Sequence, residues 1–175
     1  MVSETALNNF LQEIQLSAFR MAQVAVSGKG HGREEALDIV QDAMIKFVER
    51  YSAKKSSDWR PLFFKTLNNR IVDWHRRQKV RSIMQWFGHA DEVESALAVE
   101  QGPEVRHHQH VALAELEVVM ADLPLRQQQA VMLRIWEGMS TEEAASVMGV
   151  TGGSVKTHLS RGLKTLQQQL GGHWP

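Results

Sequence analysis

Ser154, Lys156, Thr157, Ser160 and Arg161 fall within one short stretch near the C-terminus. At about 100° per helical residue they gather on one side of an α-helix. Short hydroxyl donors beside cationic groups suit base edges and phosphates in a major groove. Val155 and Leu159, four residues apart, face the opposite way and are placed for a core. Thr151 stands where its hydroxyl can cap this helix, whose exposed N-terminus can meet a phosphate. The chemistry on offer is recognition of a duplex.

A first helix must hold the second at a fixed angle. Ser140 or Thr141 can cap it, with Glu142 or Glu143 in the favourable first turn. Ala144 and Ala145 are small enough for a close crossing. Gly149 suits a tight turn with positive φ, and Val150 plugs the angle between the helices. Residues 141–170 therefore read as a helix-turn-helix. The same helix–Gly–helix pattern also builds a plain helical hairpin, so upstream sequence has to separate the two.

Charge is distributed unevenly. The formal net charge is zero over 175 residues, with 20 Lys and Arg against 20 Asp and Glu. Residues 60–81 carry seven Lys or Arg against Asp73 alone, a balance of +6. Residues 91–122 carry eight acids against Arg106, a balance of −7. A basic block beside an acidic one is the informative quantity, and the basic block fits a nucleic-acid partner.

Apolar periodicity outlines the rest. A first helix is expected over residues 7–26, with Leu7, Phe10, Leu11, Ile14 and Ala18 on one side. A second is expected over 33–50, with Leu37, Val40, Met44, Phe47 and Val48 inward. A third should start near Arg60, with Pro61 in its first turn and Phe63, Leu67, Ile71 and Trp74 inward, ending near Arg81. Trp59 and Trp74 are expected in the core. Residues 82–110 contain Gly88, Gly102, Pro103 and many acids, and are expected to be a linker. Helices should follow at 111–120 and 126–136, the latter ended by Gly138. The expected fold is all-α: two small helical domains, residues 1–81 and 111–172, joined by the acidic linker.

These segments resemble known motifs in a set order. Leu123-Pro124 with the polar stretch after it, Trp136-Glu-Gly-Met-Ser140 and the helix-turn-helix are similar to region 4 of the bacterial sigma-70 family. Asp38-Ile-Val-Gln-Asp42-Ala-Met-Ile-Lys-Phe47 resembles sigma region 2.2. Its Asp38, Gln41, Asp42 and Ile45 share one helix face. By itself such a face could simply be solvated; the resemblance implies that it docks on the β′ clamp helices of RNA polymerase. Trp59-Arg-Pro-Leu-Phe-Phe-Lys-Thr-Leu-Asn-Asn69-Arg-Ile-Val-Asp73 and the basic run after it resemble regions 2.3 and 2.4. Trp59 stands where the family usually has Phe, and Leu62 where it usually has Trp.

Lys65, Asn69, Val72 and Arg76 share a face that can follow a groove. The resemblance makes Lys65, Asn69, Arg70, Arg76 and Arg77 candidates for holding a melted −10 element. Residues 52–58 would form part of a pocket for one flipped base. Base opening costs a few kcal/mol, which backbone contacts can offset. Thr151, Ser154, Lys156, Thr157, Ser160 and Arg161 become candidates for the −35 element. Two regions joined without an intervening region 3 are similar to the extracytoplasmic-function (ECF) group. The implied partners are core RNA polymerase through its β′ and β subunits, promoter DNA, and an anti-sigma factor, which is typical of the group.

Other classes fit less well. There is no Gly-x-Ser-x-Gly and no phosphate-binding loop; Gly28-Lys-Gly-His-Gly32 lacks the necessary spacing. No enzymatic activity, cofactor or metal is expected. His107, His108 and His110 could ligate a metal, but in an acidic linker incidental surface histidines are the better account. A LuxR-type regulator would need a receiver or sensing domain, and residues 1–81 show no alternating β/α pattern. With no cysteine, no signal peptide and no long apolar run, a cytoplasmic protein without membrane insertion is expected.

Overall fold

A computed structural model describes residues 4–27, 32–87 and 109–171, and the described residues form helices and turns only. Gly28, Gly30, His107, His108, residues 88–106 and residues 172–175 lie outside the described residues. α1 runs Glu4–Ser27, α2 Arg33–Tyr51 and α3 Trp59–Phe87, with a single 3-10 turn at Ser56–Asp58 before α3. α4 runs Gln109–Asp122, α5 Leu125–Val131, α6 Thr141–Met148 and α7 Gly152–Leu170.

The first three helices close around an aromatic cluster. Phe47, Trp59 and Phe63 are fully buried, and the ring of Phe10 lies 5.6 Å from Phe47 and 5.4 Å from Trp59, centre to centre. Such tilted pairs add to the area that aromatic rings bury. Phe63, Leu67, Ile71 and Trp74 form the inward stripe of α3, as their spacing predicts. α2 departs from expectation. Its buried residues are Ala36, Ile39, Val40, Ala43 and Phe47, while Leu37 is 37% exposed and Met44 only half-buried. The stripe is centred on two fully buried alanines, and α1, which packs against α2, carries Ala18 and Ala22 equally buried. Small residues allow a close helix approach, so the larger Leu37 is displaced to the rim.

α3 also continues to Phe87 rather than stopping near Arg81. Ile83 and Met84 are exposed there, and the sequence holds no Gly or Pro between Pro61 and Gly88. The helix expected over 126–136 changes character midway. After α5 the chain makes a wider π turn at Met132–Trp136, in which the Glu137 N–H donates to the Met132 carbonyl at 2.9 Å. Gly138, with φ 62°, ends it.

The second set of helices packs on the first. α3 lies against α6 and α1 against α4, so one continuous core links both halves. Polar groups stitch the junction. Arg60 Nη2 donates to Glu137 at 2.7 Å and Arg60 Nη1 to Glu13 at 3.2 Å, while the Ser17 hydroxyl donates to Glu137.

Candidate nucleic-acid interface

The helix-turn-helix is built from α6 and α7. Ser140 Oγ accepts from the Glu143 N–H (3.1 Å) and Glu143 reaches back to the Ser140 N–H (2.8 Å), a reciprocal cap. Gly149 ends α6 at φ 65°, a left-handed conformation that disfavours side chains. Thr151 Oγ1 accepts from the Ser154 N–H at 3.2 Å and caps α7. Each of these features was legible in the residues.

Two supports were not. Arg126 Nη1 donates to the Met148 carbonyl at 2.7 Å, so α5 holds the end of α6. Gly162 lets α7 lie directly on α5, since a Cβ there would stand 2.9 Å from a Val131 methyl. Gly162 is the glycine on α7 that a mid-helix penalty marks out; nothing in the sequence points to Arg126.

Lys156, Thr157, Ser160 and Arg161 are all exposed on α7, with Val155 fully buried beneath them and Leu159 half-buried. Their hydroxyls are not equivalent. Thr157 Oγ1 donates back to the Gly153 carbonyl at 3.0 Å, and the Thr151 and Ser154 hydroxyls bond each other at 3.0 Å. Thr151 and Ser154 thus serve the helix start first, which leaves Lys156, Ser160 and Arg161 as the uncommitted donors of the face and the exposed Thr157 hydroxyl oxygen as an acceptor.

The candidate −10 residues divide into two groups. Lys65, Asn69 and Arg76 are exposed along one face of α3, with Val72 half-buried between them. Arg70 and Arg77 lie around the helix, lining a cleft of about 570 Å³ between α2 and α3. Arg70 Nη1 bonds Asp42 Oδ2 at 3.2 Å, and Arg70 Nη2 lies 4.0 Å from Asp73. On α2, Asp38, Gln41 and Ile45 are exposed, Ile45 by 56%, and Asp42 is half-buried at the rim of the same cleft. The structure therefore brings the candidate docking face and two candidate DNA residues together. Trp59 and Trp74 are both core residues. Residues 52–58 lie outside the core, with Ala53 to Asp58 exposed.

Among the described residues no group of three or more His, Asp or Glu is placed to hold a metal ion, and no helix is long and apolar enough to cross a membrane.

Comparison with known proteins agrees with this geometry. Residues 113–166 match the family described as Sigma-70, region 4. The chain is 30% identical over 139 residues to the RNA polymerase sigma factor SigV of Bacillus subtilis, covering 79% of this chain and 77% of that one. It is 25% identical over 175 residues to the ECF RNA polymerase sigma factor SigE of Mycolicibacterium smegmatis, covering 97% of this chain and 65% of that one. The fold matches that of the sigma factor RpoE from Bartonella quintana, solved with the anti-sigma factor NepR, at a TM-score of 0.64 and 24% identity over 95% of this chain and 99% of that one. A LuxR-type regulator is set aside, because the likeness extends through both halves of the chain to sigma factors. The chain belongs to the sigma-70 family of RNA polymerase sigma factors, in its ECF group.

Proposed function

We propose that this sigma factor docks on core RNA polymerase through Asp38, Gln41, Asp42 and Ile45, holds a melted −10 element along Lys65, Asn69 and Arg76, and reads a −35 element with Lys156, Thr157, Ser160 and Arg161. Residues 1–81 would carry the first two tasks, 82–110 the connection and 111–172 the third. One observation carries this assignment: three exposed surfaces on one chain, the ridge of α2 and the faces of α3 and α7, present two contrasting chemistries. The α2 ridge offers acids around an apolar anchor. The α3 and α7 faces offer cations and short polar donors, as duplex and single-strand contacts require.

The contact of α3 with α6 adds a mechanical requirement. Elements named −10 and −35 stand about 25 positions apart, roughly 85 Å of straight duplex at about 3.4 Å per base pair. Helices in direct contact cannot span that distance, so promoter engagement requires the halves to part. A partner that clamps the halves together would silence the protein. The Bartonella sigma factor of like fold is bound to an anti-sigma factor, and a partner of that kind is proposed for this chain.

Run-off transcription with core polymerase on a library of genomic fragments tests the function. Discrete, promoter-specific transcripts that depend on this chain are expected. Their absence on every fragment would overturn the assignment.

A further inference from the structure

Arg70 sits in the basic block of α3, yet its guanidinium is turned away from the face that carries Lys65, Asn69 and Arg76. Its side chain is 29% exposed and reaches Asp42 Oδ2 at 3.2 Å, on a different helix. Its Nε is buried and has no hydrogen-bond partner among the described residues. Asp73, one turn along α3, flanks it at 4.0 Å. The cleft between the helices sets Glu35, Asp38 and Asp42 of α2 against Arg70, Arg77 and Arg81 of α3. The cations of α3 thus form two stripes; Arg77 and Arg81 of the second remain exposed, whereas the Arg70 guanidinium is held against α2.

We infer that Arg70 is a positioning residue for the polymerase-docking face, holding the Asp42 carboxylate in place, rather than a ligand of the −10 strand. The inference rests on the proposed docking role of Asp42. An exposed aspartate at mid-helix samples several rotamers. The ion pair selects one before the partner arrives, which removes part of the ordering cost of association. One carboxylate oxygen is taken by Arg70; the other is left for solvent or a partner's cation, and Asp42 is 46% exposed. Arg70 is suited to this because its planar fork reaches Asp42 while Asp73 neutralises its far side.

The test measures the affinity of the full-length chain for core polymerase by fluorescence titration, for Arg70→Gln, Arg70→Lys, Asp42→Asn, Asp42→Arg and the double variant Asp42→Asn/Arg70→Gln. Arg70→Gln should weaken binding about three- to tenfold, and Arg70→Lys should recover most of the loss. In the Asp42→Asn background, Arg70→Gln should add nothing. With each holoenzyme formed at saturating sigma, the salt dependence of binding to single-stranded −10 DNA should be unchanged by Arg70→Gln. A strand ligand would instead lower that slope by about one. A normal core affinity for Arg70→Gln, an undiminished effect without Asp42, or a lowered salt slope would each overturn the inference and leave the docking role of Asp42 standing. If Asp42→Asn and Asp42→Arg both bind core polymerase normally, the docking role itself fails. Circular-dichroism melts of every variant separate these results from unfolding.

Discussion

The Asn68 side-chain amide donates to the backbone carbonyl of Val147, 79 residues away, at 3.2 Å. Val147 lies in the last turn of α6, where helix carbonyls lack helical partners. Beside the left-handed turn at Gly149, two of these carbonyls are met from outside the helix-turn-helix hairpin. Arg126 of α5 takes the Met148 carbonyl and Asn68 of α3 takes that of Val147. Gln129 completes the set by donating to Asn68 Oδ1. The helix-turn-helix proposed to read DNA is therefore capped in part by the helix proposed to hold the −10 strand.

Asn68 is 3% exposed and Gln129 2% exposed, so their polar groups depend on each other. Asn68→Leu would leave the Val147 carbonyl and the Gln129 amide without partners. Such groups cost about 1–3 kcal/mol when buried. The halves should separate more readily, seen as a larger radius of gyration by small-angle scattering. An unchanged radius together with an unchanged melting temperature would show that Asn68 does not hold the junction.

Arg126→Met keeps the aliphatic stem but removes the charged donor to Met148. A loss of about 1–2 kcal/mol is expected, given the half-buried site. Urea denaturation measures it. A loss below about 0.5 kcal/mol would mean that water replaces the guanidinium at no net cost.

Gly162→Ala adds a methyl 2.9 Å from Val131 Cγ2. Overpacking of this kind costs about 1–3 kcal/mol, which matches or exceeds the gain of about 1 kcal/mol that alanine brings to a helix. The variant should be less stable than the parent by chemical denaturation, and Val131→Ala in the same chain should recover part of the loss. A stabilised Gly162→Ala variant would show that α7 shifts freely on α5.

Glu137 titrates above its ordinary value of 4.5, chiefly because burial disfavours its charge. Arg60 pulls it back and Glu13 pushes it up. A carboxyl raised in the folded state binds its proton more tightly there than in the unfolded chain. Its contribution is fully present below the unfolded value and is lost as pH rises through the folded one. Thermal melts from pH 4.5 upward should therefore show the parent losing stability relative to Glu137→Gln. Parallel profiles for the two proteins would exclude this contribution.

Arg161→Ala removes an exposed cation from the recognition face of α7. Binding to the cognate −35 duplex should weaken by about 1–3 kcal/mol if the guanidinium reads a base, with relaxed preference at one position. Uniform weakening across sequences would instead mark a phosphate contact. Competition binding with single-base variants of the duplex distinguishes the two.

Local rules were enough for much of this protein. The caps at Ser140 and Thr151, the left-handed Gly149 and the inward stripe of α3 all follow from residue type and helical period, because each involves neighbours within a turn or two. The order of the motifs likewise revealed the family without coordinates. What the linear chain could not show is which side of each helix another helix would cover. Leu37 looks like a core residue until the alanines of α1 and α2 draw those helices together and leave it at the rim. Arg70 counts as one cation of a basic block until folding turns it onto Asp42, 28 residues earlier. The pairing of Asn68 with Val147 likewise exists only because α3 packs on α6. Helix formation is decided by contacts a few residues apart, whereas the partner of a side chain at a helix junction depends on packing between segments that the sequence keeps far apart.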